Sequence, residues 1–275
     1  MALELNRIYN MDCLEGMRQM GDKSVDLSVT SPPYDNLRTY KGFSFDFEGI
    51  AKELYRITKD GGVLVWVVGD ATIDGSETGT SFRQALYFKE IGFNLHDTMI
   101  WDKGSCRYPE TNRYYPCFEY MFVLSKGKPI TSNLIEDRKN KYGGGKVSRG
   151  SQIRTTEGEM KPNSAFNTDR QRAIKIIGVR FNLWNIAVSA STDGEEVREH
   201  PAPFPEQLAN DHILSWSNKG DLVLDPFMGS GTTGKMAVIR ERQFIGFEIA
   251  KEYCEIAEKR IKKAQGQGKI GSWFA

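Results

Sequence analysis

Long apolar runs are missing from this sequence. None reaches the roughly 18 to 20 residues that a membrane-spanning helix needs, and the N-terminus, MALELNRIYN, has no apolar signal-peptide core. Cysteine is scarce: Cys13, Cys106, Cys117 and Cys254 form neither a CxxC pair nor a zinc-ligand spacing. That pattern fits a reducing cytosol better than a disulfide scaffold. The three histidines, His96, His200 and His212, are not spaced as metal ligands, and no metal is expected. A dominant charge is absent too. The formal net charge is +1, so no global field announces a nucleic acid or a membrane. Internal repeats are lacking. Together these absences predict a soluble, cytoplasmic protein with no membrane partner. Its 275 residues suffice for one large α/β domain, or a core with an insert.

What is present becomes informative locally. From Lys126 to Arg180 there are 13 basic and 5 acidic residues, a balance of +8, which leaves −7 for the rest. The same window is rich in Gly, Ser, Thr and Asn, as in KYGGGKVSRGSQIRTT, and poor in aliphatic periodicity. Such a segment is either a solvated insertion or an electrostatic footprint for phosphates.

Outside that window, apolar runs suited to strands recur at Arg7–Met11, Val25–Val29, Val63–Val68, Asp97–Trp101, Phe118–Leu124, Leu222–Leu224 and Phe244–Ile249. Several are continuous, as expected when helices cover both faces of a parallel sheet. Helix-period segments lie between them. FEGIAKELYRITKDGG places Ile50, Leu54 and Ile57 on one stripe and is expected to stop at Gly61-Gly62. SFRQALYFKEIGF, PFPEQLANDHILSWSNKG and AKEYCEIAEKRIKKA are further helices. The alternation predicts a doubly wound α/β fold, interrupted from about 126 to 199 by an inserted lobe.

Near the C-terminus, GDLVLDPFMGSGTTGKMAVIRERQFIGFEI reads as strand, turn, helix and strand. Gly229, Ser230 and Gly231 make the turn, and Thr232 and Thr233 open the helix. N–H groups at a helix start favour a carboxylate or phosphate, and glycine lets a ligand approach the backbone. Glu248 ends the next strand, where an acid can accept both ribose hydroxyls. The third glycine of the dinucleotide fingerprint and the P-loop lysine are both missing. The pattern therefore favours a nucleoside bearing a carboxylate, such as S-adenosylmethionine. In an ordinary doubly wound fold this turn follows the first strand, yet here it lies beyond residue 225. Joining the C-terminus to the N-terminal strand RIYNMD restores the usual order, with Asp12 placed to meet an adenine amino group. The chain then reads as a circular permutation, which is cheap where termini lie close.

The stretch VTSPPYDNLRTY follows a predicted buried strand. An exocyclic amine of a base is a poor nucleophile because its lone pair is delocalised into the ring. Two acceptors that take its hydrogens pull the nitrogen towards tetrahedral geometry. The Ser31 hydroxyl and the Pro32 carbonyl can be those acceptors, while Pro32 and Pro33 offer no competing N–H and stiffen the corner. Tyr34 can stack on the base. Positioning then supplies most of the rate without a covalent intermediate.

Taken together, VTSPPY, HPAPFPEQL, VLDPFMGSGTT and FIGFEI resemble the amino-group DNA methyltransferases, and the order of the motifs resembles the β class. The resemblance covers nearly all of the chain outside about 126 to 190. It implies a Rossmann-like S-adenosylmethionine-dependent methyltransferase fold, circularly permuted, with an inserted basic target-recognition lobe that binds double-stranded DNA. It assigns Ser31, Pro32, Pro33 and Tyr34 to catalysis. Asp225, Pro226, Phe227, Gly229, Ser230, Gly231 and Thr232 fall in the cofactor loop; Glu248 and Asp12 become the ribose-side and adenine-side acids, and Pro203 and Phe204 pack near the methionine end. The corresponding ranges are 1–125 and 200–265 for the two halves, 126–199 for the insert and 266–275 for a loose tail. Serine before Pro-Pro, preceded by threonine, resembles the cytosine-N4 enzymes; aspartate there is the commoner sign of adenine-N6 enzymes. The alternatives are adenine N6, an RNA methyltransferase, or a silent DNA-binding module. A homodimer and a separate restriction endonuclease are left open.

Cys117, in YYPCFEYMF, could be read as the nucleophile of a carbon-5 methyltransferase. It enters an apolar strand without a basic neighbour and is expected to line the core. Tyr114, Tyr115 and Phe118 are expected either in the core or walling the base.

Overall fold

The computed structural model describes residues 3–33, 45–105, 111–145, 152–162, 173–188 and 205–271. It divides into two compact units, Met1–Asn133 with Asn182–Ala275, and Leu134–Phe181.

The larger unit opens with β1 (Arg7–Asn10), α1 (Cys13–Arg18), β2 (Val25–Thr30), α2 (Phe47–Ile57) and β3 (Thr58–Val68). A small hairpin of β4 (Thr72–Ile73) and β5 (Ser76–Glu77) leads to α3 (Thr80–Glu90), β6 (Asn94–Asp102) and β7 (Phe118–Ser125). The smaller unit holds β8 (Glu136–Lys139), β9 (Gln152–Arg154), β10 (Met160–Pro162) and β11 (Ile177–Val179). The larger unit resumes with β12 (Leu183–Asn185), α4 (Glu206–Trp216), β13 (Leu222–Asp225), α5 (Thr232–Ile239), β14 (Gln243–Glu248) and α6 (Lys251–Gly271).

Eight strands form one sheet in the order β1-β14-β13-β2-β3-β7-β6-β12. All neighbours are parallel except β7, which runs antiparallel to both β3 and β6. The first strand thus pairs with the last, in the register Arg7 to Ile245 through Asn10 to Glu248. The cofactor-turn strand β13 sits between β14 and β2.

Alternation along the strands builds two cores. Val63, Val65 and Val67 of β3 join Leu208, Ile213, Met236 and Ile261 from α4, α5 and α6 on one face. Leu64, Trp66 and Val68 join Met17, Leu54 and Phe88 from α1, α2 and α3 on the other. Helices cover both faces, so the central strands can be apolar throughout, as their sequences are.

Several boundaries move. The stripe Ile50, Leu54, Ile57 is buried as expected, but α2 ends at Ile57 and Gly61-Gly62 lie inside β3. There the Thr58 hydroxyl donates to the Leu54 carbonyl at 2.6 Å and turns the chain without glycine. Helix α6 runs on to Gly271, into the stretch expected to be a loose tail. The smaller unit is narrower than the window 126–199, because Leu183–Asn185 pairs in parallel with β6 as an edge of the main sheet. Among the described residues no helix is long and apolar enough to cross a membrane.

Candidate functional site

Three parallel strands present their carboxyl ends side by side. Thr30 closes β2, Asp225 closes β13 and Glu248 closes β14. In an open α/β sheet this edge is where ligands bind.

After Asp225 the chain passes through Pro226, Phe227 and Met228 into the turn Gly229-Ser230-Gly231, and α5 starts at Thr232. Gly231 is the residue before the helix, with φ of 83°, and a Cβ there would lie 2.6 Å from the Cβ of Ala257 in α6. Only glycine fits both demands. The first-turn N–H groups of α5 have no acceptor within the helix, and no acidic residue sits in that turn to neutralise them. Phe227 turns sideways, with its ring centroid 5.8 Å from Phe45 and 6.3 Å from Trp66.

Glu248 is fastened by backbone. Its Oε2 accepts the Gly229 N–H at 2.9 Å and its Oε1 accepts the Ala250 N–H at 2.8 Å. Burial pushes its carboxyl above the ordinary glutamate range, against the pull of those bonds. Asn10 straps the same strand end, donating to the Glu248 and Ile249 carbonyls at 3.0 and 2.9 Å. Asp12 follows β1 and caps α1, its Oδ1 accepting the N–H groups of Leu14 at 2.8 Å and Glu15 at 3.2 Å. The acid expected on the adenine side therefore also holds a helix start.

Asp225 is 1 % exposed and ties two loops together. Its Oδ1 accepts the Thr30 hydroxyl at 2.6 Å and the Phe227 N–H at 3.0 Å. Burial pushes its carboxyl up to about 6, with the bonds from Thr30, Thr233 and Phe227 acting in the opposite sense. The Thr233 hydroxyl also reaches back, donating to the Val29 carbonyl at 3.1 Å. Ser31 comes directly after Thr30. Pro32 is buried, and Ser31 and Pro33 are half-buried. Tyr34, Pro203, Phe204 and His200 lie outside the described residues.

Chemistry-bearing motifs thus converge on one edge, with a fully buried carboxylate between the glycine turn and the Ser-Pro-Pro corner. The family model described as DNA methylase, N6_N4_Mtase, matches residues 25–259. The chain belongs to this family of DNA methylases. It is 59% identical over 245 residues to the orphan methyltransferase M.BamHII of Bacillus amyloliquefaciens, covering 88% of this chain and 91% of that protein. It is 27% identical to the type II methyltransferase M.SmaI of Serratia marcescens, covering 91% and 88%. In fold it is similar to PvuII DNA methyltransferase (cytosine-N4-specific), with a TM-score of 0.68, 21% identity, and 97% and 93% of the chains covered. A solved M1.HpyAVI-SAM complex is similar at a TM-score of 0.61 and 24% identity, covering 93% and 98%.

The methylase's cysteines need one correction. Cys117 is half-buried rather than core-lining, because β7 starts only at Phe118 and the preceding residues lie outside the sheet. Tyr114, Tyr115 and Phe118 are exposed, not core. Cys13 and Cys254 are buried, and burial pushes their thiols up to about 12 and about 11, far from thiolate chemistry. His212 is fully buried and stacks on Trp184 at 4.5 Å, while His96 meets Trp216 edge-on at 5.5 Å.

Several residues escaped the sequence reading. Thr30 and Thr233 stood in the expected motifs, but nothing local showed that their hydroxyls bond to Asp225 and to the Val29 carbonyl. Arg260, Glu206 and Lys235 were assigned no role, and all three are buried. A signal existed for Arg260: it falls on the stripe of Ala257, Ile261 and Ala264, the buried face of α6.

The smaller unit has a different character. β8 pairs antiparallel with β11, and β9 with β10. None of its described residues belongs to either hydrophobic core. Ion pairs bind it instead, Lys175 to Glu136 at 2.7 Å and Arg180 to Asp137, while Arg138 lies 4.1 Å over the ring of Phe181. Tyr142, Ile176 and Phe181 are exposed.

Proposed function

We propose that this methylase uses S-adenosylmethionine to methylate the exocyclic amino nitrogen of a base extruded from double-stranded DNA, and that the base is cytosine, modified at N4. The observation that carries the reading is the Thr30–Asp225 bond, which couples the residue before Ser31 to the strand end that opens the glycine turn. Cofactor loop and amine-binding corner are thereby held one residue apart from a shared buried anchor.

The residues fit the cofactor. The first-turn N–H groups of α5 suit its carboxylate, and Glu248, already oriented by two backbone donors, suits the ribose hydroxyls. When bound, S-adenosylmethionine supplies an electrophilic methyl carbon on a sulfonium. Ser31 Oγ and the Pro32 carbonyl accept the two amino hydrogens and turn the nitrogen lone pair towards that carbon. Pro32 and Pro33 add no donor that would compete, and Tyr34 holds the ring by stacking. Transfer would form the nitrogen–carbon bond as the carbon–sulfur bond breaks, leaving the neutral thioether S-adenosylhomocysteine, and the methylated nitrogen would release one proton to solvent. Asp225 positions the corner. A base inside a duplex cannot reach this edge, so extrusion precedes transfer, at a cost of a few kcal/mol.

Threonine and serine before Pro-Pro support cytosine over adenine, and so does the likeness to an enzyme named as cytosine-N4-specific. For the smaller unit and its flanks, a balance of +8, little core and exposed aromatics beside cations support phosphate contact and reading of base edges.

Expression in a host free of DNA methylation, followed by mass spectrometry of its nucleosides, tests the reading. N4-methylcytosine is expected. N6-methyladenine would move the target to adenine, and modified RNA with unmodified DNA would move the substrate. Cofactor binding with no methylated product would leave a silent module.

A further inference from the structure

Three charged side chains that were given no role in the sequence lie buried behind the glycine turn. The guanidinium of Arg260, on α6, donates to the Ser230 carbonyl, to the Ser230 hydroxyl at 3.0 Å and to the Thr232 hydroxyl at 3.4 Å. Its other nitrogen donates to Glu206 Oε1 at 3.0 Å, and Lys235 Nζ reaches the same oxygen at 2.7 Å. Arg260 is only 1 % exposed. Burying a guanidinium is costly, and an apolar side chain of similar volume commonly makes an equal or better core. Packing alone therefore does not explain an arginine here.

What the arginine does that leucine or methionine would not is hold oxygens. It draws the Ser230 carbonyl inwards, which fixes the peptide leading into Gly231 at its φ of 83°. That peptide in turn sets the direction of the first-turn N–H groups of α5. Glu248 takes one donor from the start of this turn, the Gly229 N–H, and a second from Ala250 beyond the end of β14, so its hold on the turn is only partly through the peptide that Arg260 grips.

We propose that Arg260 is a positioning residue for the amino-acid end of the cofactor, acting through Ser230 and Thr232, with Glu206 and Lys235 fixing the guanidinium in turn. This rests on the S-adenosylmethionine reading above. Loss of Arg260 should loosen the grip on the carboxylate and spare the grip on the nucleoside.

Calorimetric titration of the full chain separates these. The probes are S-adenosylhomocysteine and 5′-methylthioadenosine, which keeps the nucleoside and lacks the amino-acid end. In Arg260→Met, affinity for S-adenosylhomocysteine is expected to fall about ten- to a hundredfold, the scale of lost charged hydrogen bonds. Methylthioadenosine affinity should change less than about threefold, and Arg260→Lys should lie between wild type and Arg260→Met. Equal losses for both probes, or no loss for S-adenosylhomocysteine, would overturn the proposal. Should Arg260→Met not fold, a cycle of Arg260→Lys with Ser230→Ala carries the test. Non-additive effects on S-adenosylhomocysteine affinity support action through Ser230, and additive ones overturn it. A wild-type chain that binds neither probe would remove the cofactor reading itself, and this proposal with it.

Discussion

At the end of β13 every residue from Asp225 to Thr232 except Phe227 is buried, and carboxylate, hydroxyl and guanidinium groups hold the turn from below. At the neighbouring end of β2, Ser31 and Pro33 are half-buried, and two consecutive prolines stiffen the chain. The contrast matches what the proposed function asks of each end. A loop that binds the same molecule every turnover gains from being fixed before the ligand arrives. A corner that admits and releases a base attached to a long polymer, as proposed for Ser31 to Tyr34, needs an open approach, and its two prolines add no N–H that would compete for its acceptors.

If the two ends divide the work in this way, changes at one should alter chemistry and changes at the other binding. Ser31→Ala is the largest expected effect: turnover should fall roughly a thousandfold, the scale of removing one preorganised polar group, with cofactor affinity within about twofold of wild type. Single-turnover assays with equilibrium binding read both quantities. A cofactor affinity that collapses along with turnover would erase the distinction between the ends.

Asp225 sharpens the comparison through pH. Its folded pKa, about 6, stands above the ordinary value of 3.8. Below about pH 4 the carboxyl is protonated in both states, and above about 6 ionised in both. Between them the folded state binds more protons, so stability falls as pH rises, by up to about 3 kcal/mol in all. Asp225→Asn keeps an oxygen for Thr30 and Phe227 and should abolish that slope, raising stability at pH 7.5. Urea denaturation from pH 4 to 8 measures it. A variant less stable than wild type at pH 7.5 would mean the negative charge itself is needed.

Glu248→Gln should weaken cofactor binding about tenfold, as two acceptor oxygens become one, with single-turnover transfer at saturating cofactor largely kept. Because burial raises its pKa, wild-type affinity should begin to fall at higher pH than an ordinary glutamate would dictate. Affinity flat down to pH 4 would detach Glu248 from the cofactor. The smallest effect is expected at Cys117→Ala, just before β7: activity within about twofold of wild type. Loss of transfer in a folded variant would bring a thiol back into the chemistry.

Much of this was legible because periodicity is local. The seven apolar runs became β1, β2, β3, β6, β7, β13 and β14 with small shifts at their ends. The glycine turn and the Ser-Pro-Pro corner announce themselves because only those residue types adopt such backbone. α1 escaped because six residues carry too little pattern, and Leu183–Asn185 because three residues acquire strand character only from β6 beside them.

The sequence alone determined the alternation of strands and helices, the turn before Thr232, the donor-free corner at Pro32-Pro33 and the uneven charge, since each depends on neighbours along the chain. Only the tertiary structure decided that Asp225 is bound to Thr30 rather than exposed, and that Arg260 lies under Ser230. Those partners stand 195 and 30 residues apart, and no local propensity encodes a hydrogen bond that exists only once helices and sheet have packed.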